Sequence, residues 1–223
     1  MCGRYTITLE PAFFQQELAL GKIPSEWKPR YNVAPTQNVP SVRSGVTRDV
    51  EMLRWGLIPH WAKDTSIGYK LINARSETLR EKPSFRDAFH KRRCLVLADG
   101  FYEWQKSSKD GRQKVPYRFT LKDEKPFAFA GLWELWRSGE KEEVVSCTII
   151  TCAANAVVSA IHNRMPVILD KDTCWCWLEL QSMDALTGLL QPYPAEKMRA
   201  YPVSTRLNNP NEDDLQLIQP LAF

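Results

Sequence analysis

Residues 117–151 decide the fold class. Tyr117-Arg118-Phe119-Thr120-Leu121 runs into the charged turn Lys122-Asp123-Glu124-Lys125 and then into Phe127-Ala128-Phe129-Ala130-Gly131-Leu132. Past Ser138-Gly139-Glu140 comes Val144-Val145-Ser146-Cys147-Thr148-Ile149-Ile150-Thr151. Runs this dense in aromatic and β-branched residues, parted by short polar turns, read as strands joined by hairpins. Working outward, the same composition recurs at 5–8, 39–43, 51–55 and 94–98, with another turn at Lys109-Asp110-Gly111. Helices are fewer. One is expected over 11–20, with Pro11 opening it and Gly21 as its stop. Ser84 and Asp87 resemble a capping box for a short helix to about His90, and 155–162, 172–180 and 182–191 read as three more. The expectation is an α+β fold over 1–223 as one domain, with a mainly antiparallel, barrel-like β-sheet core and short flanking helices.

Composition narrows the function classes. Hydrophobic residues make up 43% and charged residues 25% of the 223, the balance of a folded globular chain and not of a disordered one. The longest apolar candidate, 147–161, is interrupted by Thr148, Thr151, Asn155 and Ser159, so no stretch reaches the ~18 residues of a membrane helix. No basic stretch followed by an apolar one marks a signal peptide, and a cytoplasmic protein, nucleoid-associated if bacterial, is expected, acting as a monomer away from membranes. The net charge of +4 permits a polyanionic partner without demanding one. Six cysteines, at 2, 94, 147, 152, 174 and 176, include no CxxC pair, and the histidines at 60, 90 and 162 are far apart. Neither a disulfide framework nor a metal site is expected, no cofactor is called for, and the cysteines other than Cys2 read as buried thiols.

Cys2 carries the most chemistry. Loss of Met1 would leave an N-terminal cysteine, with a thiol and a free α-amine on adjacent carbons, both reactive near neutral pH. Such an aminothiol condenses with an aldehyde to an imine, which the thiol closes into a thiazolidine. The thiol alone would serve as an acyl-transfer nucleophile, and a retained Met1 would make Cys2 an ordinary residue. His162, in Ala160-Ile161-His162-Asn163-Arg164-Met165-Pro166, is placed either to shuttle protons or to complement a helix end. Glu103, in Asp99-Gly100-Phe101-Tyr102-Glu103-Trp104, is an acid/base with a raised pKa if it points inward and a surface charge if it points outward. Asn73 offers a donor and an acceptor to a ligand, or forms a turn. Arg4, Arg75 and Arg164 each lie within two residues of these positions and suit a bidentate phosphate clamp. Among eight tryptophans, most are read as core, while Trp55 and Trp61 offer surfaces for stacking unpaired bases.

Six blocks in order, Met1-Cys2-Gly3-Arg4-Tyr5, Tyr31-Asn32-Val33-Ala34-Pro35, Trp55-Gly56-Leu57-Ile58-Pro59, Ile72-Asn73-Ala74-Arg75, Ala98-Asp99-Gly100-Phe101-Tyr102-Glu103-Trp104 and Ile161-His162-Asn163-Arg164-Met165-Pro166, resemble the signature of the SOS response-associated peptidase (SRAP) domain. The resemblance implies a protein that recognises abasic sites in single-stranded DNA and forms a thiazolidine cross-link through Cys2 after Met1 is removed, shielding the lesion. It implies Cys2, Asn73, Glu103 and His162 as catalytic residues: Asn73 holding the sugar and the amine, Glu103 as general acid/base in Met removal, Schiff-base chemistry and cross-link reversal, and His162 assisting sugar-ring opening. Arg4, Arg75 and Arg164 match positions that contact DNA phosphates, and Lys82 stands where a further basic contact often occurs. Two other readings stay open: a cysteine peptidase using Cys2, His162 and Glu103 on peptides in trans, and a non-covalent reader of modified or single-stranded nucleic acid.

Overall fold

A computed structural model describes residues 2–45, 47–106, 114–138 and 142–221. The turns expected at 109–111 and 138–140 fall on or run into residues outside that set. The strands are β1 (Arg4–Ile7), β2 (Arg30–Val33), β3 (Asn38–Arg43), β4 (Glu51–Trp55), β5 (Asn73–Arg75), β6 (Arg93–Ala98) and β7 (Gly100–Lys106). They continue with β8 (Lys114–Leu121), β9 (Phe127–Ser138), β10 (Glu142–Ala153), β11 (Arg164–Pro166), β12 (Ile168–Leu169) and β13 (Met198–Pro202). The helices are α1 (Pro11–Leu18), α2 (Arg86–Lys91), α3 (Ala156–Ser159), α4 (Cys174–Glu179) and α5 (Met183–Gly188).

The stretch that decides the fold class forms its centre. Strands β9 and β10 pair antiparallel from Ser138↔Glu142 to Gly131↔Ile149. Because β10 also pairs with β4, β4 with β3, β3 with β6 and β6 with β9, five strands close into a barrel. The barrel is not wholly antiparallel: β4 runs parallel to β10. Burial on both faces explains why β6 is buried at every position and why it is apolar from Cys94 to Ala98 without alternation. A second, antiparallel sheet, β13-β8-β7-β1-β2, lays its apolar face on the barrel. Tyr5 meets Trp55 and Phe129 edge-on at 5.2 and 5.6 Å, and Phe101 stacks on Phe119 at 4.9 Å. Among the described residues no helix is long and apolar enough to cross a membrane.

Local signals hold at some helix ends and fail at others. Asn155 and Ser182 cap α3 and α5 through their side chains, but both helices are shorter than their patterns suggest. Helix α1 stops at Ala19, which takes the left-handed conformation (φ 51°), two residues before the expected Gly21. The expected capping box is absent: α2 begins at Arg86 with Phe85 at its N-cap, one residue past Ser84, and Asp87 instead accepts a bond from Arg86 Nε. The six cysteines are all free, and Cys176 alone among them is only partly buried.

Candidate active site

The far end of β10 gathers the site. Beyond the barrel closure β10 takes β5 on one side in parallel register (Ile149↔Asn73, Thr151↔Arg75) and β11 on the other (Ala153↔Arg164). Asn73, Arg75 and Arg164 are thereby brought to one edge. The 56–72 loop that delivers Asn73 is fixed by a close backbone approach. Gly56 sits at φ +123°, and a Cβ there would lie 2.7 Å from the Gly68 carbonyl, so neither contact tolerates a side chain. Trp55 Nε1 donates to the Ile72 carbonyl at 2.9 Å and Leu57 N–H to Leu71 at 3.1 Å, closing the loop just before Asn73.

Cys2 is fully buried at the start of β1. Asn73 Nδ2 donates to the Cys2 carbonyl at 2.7 Å, holding the residue by its main chain and leaving its side chain out of the grip. Register Arg4↔Tyr102 between β1 and β7 brings Glu103 to the same end, and Glu103 is only 3% exposed, so it points inward. Burial raises the Glu103 pKa, with the charge of nearby His162 pulling it back. Burial also pushes the Cys2 thiol well above the ordinary range, and the Glu103 carboxylate adds to that rise. Nδ1 of His162 lies 3.0 Å from the Arg164 N–H and 3.2 Å from the Arg164 carbonyl, so the backbone two residues on fixes how the ring is turned. Cys2, Asn73, Glu103 and His162 thus form one cluster, through a hydrogen bond and through mutual electrostatics.

The arginines differ. Arg75 is exposed and, among the described residues, its guanidinium makes no ion pair. Arg4 donates to Asn32 Oδ1 at 2.6 Å and to the Leu207 and Asn208 carbonyls at 3.0 and 3.4 Å, tying β1 to the 204–214 segment. Arg164 forks onto the Glu77 carboxylate, with Nη2 at 2.9 Å from Oε2, and bonds the Thr151 carbonyl at 2.6 Å. Lys82 is exposed on the segment before α2. Of the two tryptophans considered for stacking, Trp55 is ruled out: it is fully buried between Tyr5 and the Ile72 carbonyl, a core residue of the barrel. Trp61, 51% exposed, is free to stack.

Three supporting residues escaped the sequence reading of the site. Asp99 accepts bonds from the hydroxyls of Thr6 and Thr8, the N–H groups of Thr8 and Leu9, and Arg118, fixing β1 against β7. Asn32 holds Arg4 and bonds three carbonyls of the C-terminal segment, and Asp213 accepts from the Tyr31 and Asn32 N–H groups and from Arg30. Asp99 and Asn32 lie inside blocks the sequence displays, but their partners lie up to 180 residues away. Among the described residues no group of three or more His, Cys, Asp or Glu side chains stands close enough to hold a metal ion.

Residues 1–210 match the family described as SOS response associated peptidase (SRAP). The abasic site processing protein YoqW of Bacillus subtilis is 45% identical over 224 residues, covering 98% of this chain and 99% of that protein. The abasic site processing protein HMCES of Xenopus tropicalis is 32% identical over 251 residues, covering 94% of this chain and 75% of its own length. A crystal structure of a protein from Bacteroides thetaiotaomicron superimposes with a TM-score of 0.87 at 29% identity, covering 99% of this chain and 100% of that one. A match over nearly the whole length, with relatives this similar, means that the chain belongs to the SRAP family.

Proposed function

We propose that this protein captures abasic sites in single-stranded DNA through a thiazolidine formed by Cys2. The observation that carries the reading is the Asn73 Nδ2 bond to the Cys2 carbonyl, which seats residue 2 by its backbone beside a buried acid and a histidine. Names of relatives that process abasic sites support it.

The chemistry runs in balanced steps. Hydrolysis of the Met1–Cys2 bond consumes one water and frees the α-amine. His162 exchanges a proton with the lesion's sugar as its hemiacetal opens to the aldehyde. The amine adds to the aldehyde carbon, giving a carbinolamine. Glu103, whose burial favours the protonated form, donates a proton to the leaving hydroxyl, water departs, and the resulting carboxylate takes the proton from nitrogen to leave the neutral imine. The Cys2 sulfur adds to the imine carbon while its proton passes to nitrogen, closing the ring. Net, one water is lost in cross-linking, and the reverse sequence releases the DNA. Arg75 and Arg164 serve the flanking phosphates, Arg4 acts there while bracing β1, and Trp61 stacks on an unpaired base. A peptidase acting in trans needs a Cys2 thiolate, which burial and Glu103 oppose.

The test incubates the protein with a single-stranded oligonucleotide carrying one abasic site, then denatures and weighs the product. A one-to-one adduct mapped to Cys2, short of Met1 and of one water, is expected, and Cys2→Ala should form none. A Cys2→Ala variant that cross-links as well as the wild type, or a wild type that binds DNA without forming adduct, overturns the reading.

A further inference from the structure

We propose that the Glu77 carboxylate is a built-in competitor of nucleic-acid phosphate for the Arg164 guanidinium, keeping the hold on undamaged strands weak until a lesion is captured. This rests on the function proposed above. A carboxylate forked on arginine presents two oxygens in the arrangement a phosphate uses, so the two cannot occupy the same edge together. Glu77 takes that edge in the free protein, through bonds to both Nη1 and Nη2 of Arg164.

Two observations separate competition from mere orientation. First, Arg164 is anchored without Glu77: Nη2 also donates to the Thr151 carbonyl at 2.6 Å and lies 3.3 Å from Thr151 Oγ1. Thr151 sits on β10 between the two strands, paired with Arg75 on one side and Pro166 on the other, so the fork stays aimed when the carboxylate leaves. Second, the partners are unequally exposed, 14% for the Arg164 side chain and 53% for Glu77. The carboxylate can swing into water at little cost, whereas the guanidinium cannot follow it. Once displaced it still stands two residues from Arg75, where its charge opposes any phosphate held there.

Glu77→Gln removes the charge and keeps the shape. In fluorescence anisotropy with a labelled undamaged single-stranded oligonucleotide, Glu77→Gln should bind about three- to tenfold more tightly than the wild type at moderate salt. The slope of log K against log salt should steepen by about 0.7, the share of one added phosphate contact. In an Arg164→Gln background the same change should tighten binding by no more than about twofold, because the contested donor is gone. Glu77→Ser gives a second, smaller neutral variant. Weaker or unchanged binding by both neutral variants overturns the inference and leaves the proposed function standing, provided the wild type forms its adduct. If the wild type neither binds nor forms adduct, both fall together.

Discussion

Asn73→Ala tests how the site holds its nucleophile. The change deletes a 2.7 Å bond to the carbonyl of a fully buried residue. Leaving a buried acceptor unpaired costs about 1–3 kcal/mol. Where that cost falls depends on how the chain relaxes. Cys2 lies two residues ahead of the first β1–β7 pair, at Arg4, so its carbonyl can turn to water without opening that pairing. Global stability should therefore barely change, with a melting shift under about 3 °C for a chain of this size. The penalty appears instead in the fraction of molecules with residue 2 seated, and at about 1.4 kcal/mol per tenfold it becomes a five- to 150-fold loss of rate. Single-turnover adduct formation on an abasic oligonucleotide, quenched in denaturant and resolved by mass, measures it. A rate within twofold of wild type would refute the positioning role. A melting temperature lowered by more than about 10 °C would show that Asn73 holds the fold and not the nucleophile.

Three further changes have directions set by the structure. The Glu103 pKa is raised by burial, so folding favours its protonated form; that stability is fully present below the ordinary carboxylate range and is lost as pH rises through the raised value. Glu103→Gln should accordingly melt above wild type at pH 8 and converge with it near pH 4, while adduct formation falls about 10²–10⁴-fold; a melting gap that does not shrink on acidification contradicts this. Gly56→Ala forces a Cβ to within 2.7 Å of the Gly68 carbonyl at φ +123°, and should cost about 1–3 kcal/mol, read as a melting temperature lower by about 3–10 °C. Trp61→Ala should weaken non-covalent binding of an undamaged single strand by about five- to 150-fold without moving the melting temperature, and wild-type affinity would remove Trp61 from the interface.

What was legible in the chain, and what was not, follows from the range of the forces involved. Strands β3 and β6 announce themselves because their residues are buried in runs, and β4 because Leu53 and Trp55 alternate with half-buried neighbours. Strands β9 and β10 extend well past Leu132 because Trp136 pairs with Val144 and Arg137 with Glu143, cross-strand partners that no single run displays. Strands β5, β11 and β12 are two or three residues long and exist only because β10 and β9 accept them, so local propensity carries no trace of them. The candidate cluster was visible as chemistry: an aminothiol, a carboxylate among aromatics, an imidazole and an amide. Its orientation was not, since Glu103 could have faced either way until β1 and β7 were in register. Nor could the sequence say that Arg4 and Arg164 already have partners, for Asn32 and Glu77 are 28 and 87 residues away.

The backbone grip on residue 2 has a practical side for anyone preparing this protein. Asn73 holds a carbonyl, so this bond fixes the main chain of residue 2 without engaging the α-amine or thiol that the proposed chemistry uses. A purification tag fused upstream would turn the Cys2 amine into an amide with no nucleophilic lone pair, which under the proposed function cannot condense with an aldehyde. Under the proposed function, an untagged start, or a protease site that cuts immediately before Cys2, leaves that amine free to react.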